Sequence, residues 1–190
     1  MKCLTALAVV LGLGLCCSHA SAQEAVPSHC RDNEFSIVDA WVGELMAKPV
    51  NDSYVNKKNR KLLSLCADAE KEPYSIIHYR YGSADKVEME YKADASNPMN
   101  FESTSLGKIG YDIFFFKRGN FTYYVSIQSA MGSGVSLKVY EGNKRIVNRF
   151  SGTEEGVDFV WAGESIDTRK KKLRSAALQL AKPMHRVTDD

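Results

Sequence analysis

The second half of the chain alternates between apolar and polar positions. Phe121, Tyr123, Val125 and Ile127 fall on one face of an extended segment, with Thr122, Ser126 and Gln128 on the other. Val135, Leu137 and Val139 repeat the pattern against Ser136, Lys138 and Tyr140. Gly119-Asn120 and Gly142-Asn143 are placed as tight hairpin turns, the second leading into Lys144 to Phe150. Tyr111 to Phe116 is apolar on both faces, as expected of a strand covered on two sides. Upstream, Ile77, Tyr79 and Tyr81 alternate with Ile76, His78 and Arg80. After Gly82-Ser83-Ala84-Asp85, Val87, Met89 and Tyr91 point inward, with Lys86, Glu88, Glu90 and Lys92 outward. Asn97-Pro98 interrupts the period before a short strand over Met99 to Thr104. Strands recurring about every ten residues with turn signals between them predict an antiparallel meander.

Both ends read differently. Phe35, Val38, Trp41, Val42 and Leu45 recur at three and four, the spacing of one helical face. Asp32 or Asn33 would cap that helix and Pro49 would stop it, although the β-branched Ile37, Val38 and Val42 leave a strand open. Thr168 to Ala181 lacks Gly and Pro and is rich in Lys, Arg, Leu and Ala, which predicts a terminal helix over about 166–182, ended by Pro183 and lying over a sheet edge. The expected fold is therefore mainly β, an antiparallel meander closing into a small barrel or sandwich, with a helix near each end. It is one domain over 23–190 with its core at about 60–160.

The first residues change the picture of compartment. Met1-Lys2, the uncharged apolar run Leu4 to Leu15 and the small residues Ala20-Ser21-Ala22 make a secretory signal peptide over 1–22, cut between Ala22 and Gln23. The run is too short to span a bilayer, which takes about 20 apolar residues. Periplasmic or secreted localisation follows. Lipid attachment at Cys16 or Cys17 would want a small preceding residue, and Leu15 and Cys16 stand there instead. The sequons Asn51-Asp52-Ser53 and Asn120-Phe121-Thr122 could carry glycans in a eukaryote, but the compact leader reads as bacterial.

Processing would remove Cys3, Cys16 and Cys17 and leave Cys30 and Cys66 in an oxidising compartment. A disulfide is the simple expectation, worth about 4 kcal/mol in the chain-entropy picture. The alternatives are two separate thiols or, with no Cys-x-x-Cys or histidine pair nearby, a far less natural zinc site. Without Lys2 the balance is 24 cations to 23 acids, a formal charge of +1. That gives no global attraction to nucleic acid.

Candidate chemistry is sparse. His29, His78 and His185 have no partner motif, and neither a Gly-x-Ser-x-Gly elbow, a His-Glu-x-x-His motif nor a phosphate loop is present. No metal or cofactor is expected. Glu88 and Glu90 share a strand face and could act as paired carboxylates of a glycosidase-like hydrolase, although their alternation with Lys86 and Lys92 favours a solvated face. Glu154, Glu155 and Asp158 form a second acidic group. The run Arg169 to Lys172, with Arg174, could meet envelope phosphates or form the wet side of a helix. Within Met131-Gly132-Ser133-Gly134-Val135, the glycines permit close backbone approach and Ser133 offers a hydrogen bond without bulk, as in a recognition loop.

Leu63-Ser64-Leu65-Cys66, Tyr79-Arg80-Tyr81-Gly82, Lys86-Val87-Glu88-Met89 and the aromatic hairpin Tyr111 to Tyr124 together resemble a group of exported bacterial proteins of unassigned activity, over about 60–150. That resemblance implies secretion and β structure. Ser133-Gly134-Val135, with Tyr140 downstream, is similar to the Ser-Gly loop of periplasmic lysozyme inhibitors, small disulfide-bearing β-barrels whose loop enters the lysozyme cleft. It implies contact residues at Ser133 and Gly134, with Gly132 and Tyr140 beside them. The functional expectation is an exported, non-catalytic binding protein with a protein partner, in the form of an inhibitor or immunity factor against a cell-wall hydrolase or toxin. The alternatives are the hydrolase using Glu88 and Glu90, or an envelope structural protein.

Overall fold

A computed structural model describes residues 26–50, 53–130, 132–162, 166 and 173–187. The expected signal peptide over 1–22 and the basic run Arg169 to Lys172 lie outside the described residues. The strands are β1 (Phe35–Val50), β2 (Ser53–Ala67), β3 (Ile77–Ser83), β4 (Lys86–Ala93), β5 (Met99–Leu106), β6 (Ile109–Arg118), β7 (Phe121–Ser129), β8 (Gly134–Glu141), β9 (Lys144–Phe150), β10 (Phe159–Trp161) and β11 (Leu178–Leu180). They form a single 11-stranded sheet in the order β11-β5-β6-β7-β8-β9-β1-β2-β3-β4, with β10 added beside β1. Every pairing is antiparallel except that of β11 with β5.

The sheet curls into a half-barrel. Tyr91 of β4, one end of the strand order, stacks at 3.9 Å on Phe116 of β6, near the other end. Tyr79 of β3 reaches the same Phe116 at 5.2 Å. The seam is stitched where Tyr74 receives a hydrogen bond from the Ala177 amide (3.2 Å) and Ala177 in turn receives one from Met99 (2.9 Å). The inner face carries the main core, with Val38, Ala40 and Val42 of β1, Leu63 and Leu65 of β2, Phe114 and Phe116 of β6, and Val125 and Ile127 of β7. Tyr111, Ile113 and Phe115 of β6 point the other way and join Tyr124, Tyr140 and Val187 in a second cluster. So β6 is covered on both sides, as the apolar residues on both faces of Tyr111 to Phe116 predict. On the outer face the chain end acts as a strap. His185 stacks on Tyr140 at 3.9 Å, its Nε2 donates to the Gly142 carbonyl, and its Nδ1 accepts from the Tyr124 hydroxyl at 2.9 Å.

The two expected helices need correction. Residues Phe35–Val50 are strand β1, and no helix occurs among the described residues. The misleading spacing comes from register shifts in β1, between Ser36 and Val38 and between Val42 and Glu44. Between those bulges the true period is two: Val38, Ala40 and Val42 are buried, and small Ala40 does not stand out in an apolar pattern. At the chain end, 173–182 is not helical. Leu178–Leu180 pairs in parallel with Met99 to Phe101 and covers the β5 edge as a strand. The remainder of that expected helix, 167–172, lies outside the described residues. The long first hairpin also carries β structure well upstream of residue 60.

The hairpin turns are where they were expected. Arg118 pairs with Phe121 and Glu141 with Lys144, with Gly119 and Gly142 at φ 59° and 57°. Only glycine takes that left-handed backbone without penalty. Cys30 and Cys66 form the disulfide, which fits an oxidising compartment.

Candidate functional site

Alternation on five strands places one set of side chains around a hollow. Cross-strand partners share a face, so the pairings Leu65 with Tyr79 and Leu63 with Tyr81 turn both tyrosines inward. On the opposite wall, Leu137 pairs with Arg149, Val139 with Val147, and Tyr123 with Val139. The result is an open cavity of about 430 Å³. That lies within the range of small-molecule sites. Tyr79, Tyr81 and Met89 form one side; Tyr123, Leu137, Val139 and Val147 form the other. Phe121, Ile146, Glu88 and Arg149 complete the lining. Tyr123 stacks on Phe116 at 5.0 Å, so an aromatic column from Tyr91 through Phe116 to Tyr123 stiffens the wall.

Two polar groups border this apolar hollow, the Tyr79 hydroxyl and the Arg149 guanidinium. Tyr79 is fully buried and, among the described residues, its hydroxyl has no hydrogen-bond partner. Burial pushes that hydroxyl well above its ordinary range, neighbouring Tyr81 and Tyr123 add to the rise, and the Arg149 charge opposes it. Arg149 donates to the Asn59 carbonyl at 3.2 Å, and among the described residues no carboxylate lies within 4.0 Å of its guanidinium. Glu44 is its cross-strand neighbour in the β1–β9 register, but it is exposed and forms no ion pair with a described residue. Glu88 is tied to Lys61 at 2.6 Å. The register shift between Tyr81 and Gly82 leaves Glu88 without an opposite residue and brings it to the rim.

The reverse face of β3 carries a different assembly. Arg80 is buried, donating through Nη2 to Glu34 at 2.8 Å, through Nη1 to the other Glu34 oxygen and to the His29 carbonyl at 3.0 Å, and through Nε to Glu90 at 2.9 Å. This two-pronged hydrogen bond to Arg80 holds the Glu34 carboxyl at about 2. His78 lies 3.0 Å from Glu90 and 3.7 Å from Glu34, yet burial keeps its pKa below the usual histidine value, with the Arg80 charge acting the same way. Beside it, buried Asp39 accepts from the hydroxyls of Ser28 (2.8 Å), Ser36 (2.6 Å) and Ser64 (2.5 Å), while desolvation raises its pKa. The disulfide pins the lead that supplies Glu34 and His29. Cys30, Glu34 and Cys66 bring potential ligand atoms within 4.8 Å, but both sulfurs are consumed by the bond. Four charge-assisted or carbonyl contacts on one arginine make this a lock for the N-terminal lead.

The residues expected to form a recognition loop are separated. Ser133 is half-buried, its hydroxyl donating to the Ala130 carbonyl at 2.8 Å, and Gly132 is exposed at φ 81°. Gly134 is buried; a Cβ there would meet the Phe150 ring at 2.5 Å and the Gly152 carbonyl at 2.6 Å. Tyr140 lies at the other end of β8, about 20 Å away. It packs on the outer face under His185. Met131 is outside the described residues. Glu88 and Glu90 each hold their own cations, Lys61 for the first and Arg80 for the second. In the acidic group, Asp158 is buried and paired with Arg60 at 2.9 Å.

The cavity is not legible in the alternation of any one strand. The available signal was Arg149, a cation at an inward position of the β9 alternation after Val147. Comparison with protein-family models, curated proteins and solved structures gives no match to this chain.

Proposed function

We propose that this chain is an exported, non-catalytic binding protein whose half-barrel holds an apolar small molecule between β3–β4 and β7–β9. The carrying observation is the open, aromatic-walled hollow of about 430 Å³, beside which the Tyr79 hydroxyl is buried with no hydrogen-bond partner among the described residues. A buried hydroxyl left unsatisfied costs about 1–3 kcal/mol. A ligand whose polar atom reaches that hydroxyl would recover the loss. The leader and the Cys30–Cys66 disulfide support export to a periplasmic or secreted location. The pairing of Glu88 and Glu90 with separate cations favours binding over carboxylate catalysis.

The test is titration with N-phenyl-1-naphthylamine, an apolar dye that fluoresces when it leaves water. The mature protein should give a saturable 1:1 enhancement, and Val139→Trp, which fills the hollow, should abolish it while the circular dichroism spectrum stays that of a β protein. Absence of enhancement in the native protein, or undiminished enhancement in the variant, would overturn the reading.

A second reading, an inhibitor or immunity factor gripping a cell-wall hydrolase or toxin through residues 132–134, draws on one observation. Ala130, at the base of that turn, has φ 72°, which non-glycine residues rarely adopt. Backbone held this way clusters at functional sites. Ser133→Asp should then abolish capture of a lysozyme-type hydrolase by the protein; equal capture by both forms would remove the turn from consideration.

A further inference from the structure

The proposed cavity has a chemical polarity, and its cation narrows the ligand class; this deepening rests on the binding reading above. Arg149 projects from the inner face of β9, paired across the strands with Leu137 and two residues beyond Val147 on the same face. It is half-buried and, among the described residues, has a backbone carbonyl as partner and no carboxylate within ion-pair distance. The other charge at the lining, Glu88, is already neutralised by Lys61. A half-buried guanidinium beside an apolar hollow attracts an anion, and its planar fork matches a carboxylate in two-pronged geometry. The remaining wall, from Met89 to Leu137 and Val139, suits an aliphatic or lightly unsaturated chain. The volume of about 430 Å³ is toward the lower end of the range for small-molecule sites. We infer that the ligand is an aliphatic carboxylate of medium length, its chain between Tyr79, Tyr123 and Val139 and its carboxylate on the Arg149 guanidinium.

Calorimetric titration of the full mature protein, disulfide intact, with decanoate and with decanol tests this. Decanoate should bind about tenfold more tightly than decanol, the scale expected of one charge-assisted contact. Arg149→Gln should erase that preference by weakening decanoate alone, and Arg149→Lys should restore part of it. The decanol arm reports whether each variant still has its cavity. Equal affinities for acid and alcohol in the native protein, or a preference unchanged in Arg149→Gln, would overturn the carboxylate assignment while leaving the cavity reading standing. Failure of both ligands and of the apolar dye would overturn both. A lysophosphatidylglycerol that binds more tightly than decanoate, with the same dependence on Arg149, would overturn the carboxylate in favour of a lipid phosphate.

Discussion

Glu34→Gln should destabilise the protein in a strongly pH-dependent way. Its carboxylate is held at about 2 against an ordinary value of 4.5, because Arg80 grips it from within the protein. The Glu34 side chain is 8 % exposed and that of Arg80 2 %, so solvent screening takes little from the interaction. A depression of this size corresponds to about 3 kcal/mol of stability at neutral pH. The sign follows from proton binding. Between the two values the unfolded chain binds a proton at Glu34 that the folded chain does not. The stabilisation is therefore complete above 4.5 and is lost as the pH falls through about 2. The substitution keeps shape and one acceptor but leaves a buried guanidinium short of charge, an effect of the same order for broken buried pairs. Urea denaturation of both proteins across the acid range measures it. The gap should be about 3 kcal/mol near neutrality and should close toward the folded-state value. A gap below about 1 kcal/mol, or one that ignores pH, would show that Arg80 does not depend on Glu34.

Gly134→Ala should cost about 1–3 kcal/mol in chemical denaturation, since its methyl would sit 2.5 Å from the Phe150 ring and 2.6 Å from the Gly152 carbonyl; an unchanged midpoint would mean that β8 and β9 part more easily than their packing implies. Replacing both Cys30 and Cys66 by Ser, which frees a span of 36 residues in the unfolded state, should lower stability by about 4 kcal/mol. The Arg80 contacts of the released lead should weaken with it, read as faster hydrogen exchange at the Arg31 and Glu34 amides; retained protection there would detach the lead's order from the disulfide.

The meander was legible because its information is local. A strand such as β7 carries its inward face in every second residue, and Gly119 and Gly142 declare the turns by backbone requirement alone. The two-sided burial of β6 was equally plain from Tyr111 to Phe116. The first strand was hidden because its bulges convert a period of two into something like three and four, with Ala40 silent in the middle. The terminal strand was hidden because three residues are too few to show a period, and high helix propensity in its neighbourhood outweighed them. Tertiary pairing with the β5 edge decides that segment. The cavity was invisible for a different reason. Nothing local says that Tyr79 and Val139 face each other across a curled sheet, because the strands between them, β9, β1 and β2, set the curl collectively. The recognition-loop expectation treated Gly134 as permissive backbone at a surface, whereas it is small because Phe150 occupies the space above it.

If the hollow of the half-barrel receives a ligand, its own methyl groups must report the binding. Methyl-resolved nuclear magnetic resonance during titration with decanoate tests it most directly. Saturable shifts should concentrate at Met89, Leu137, Val139 and Val147, with Leu106, Leu180 and Met184 on the exposed surface unmoved. Shifts at those exposed residues with the cavity methyls silent would contradict it.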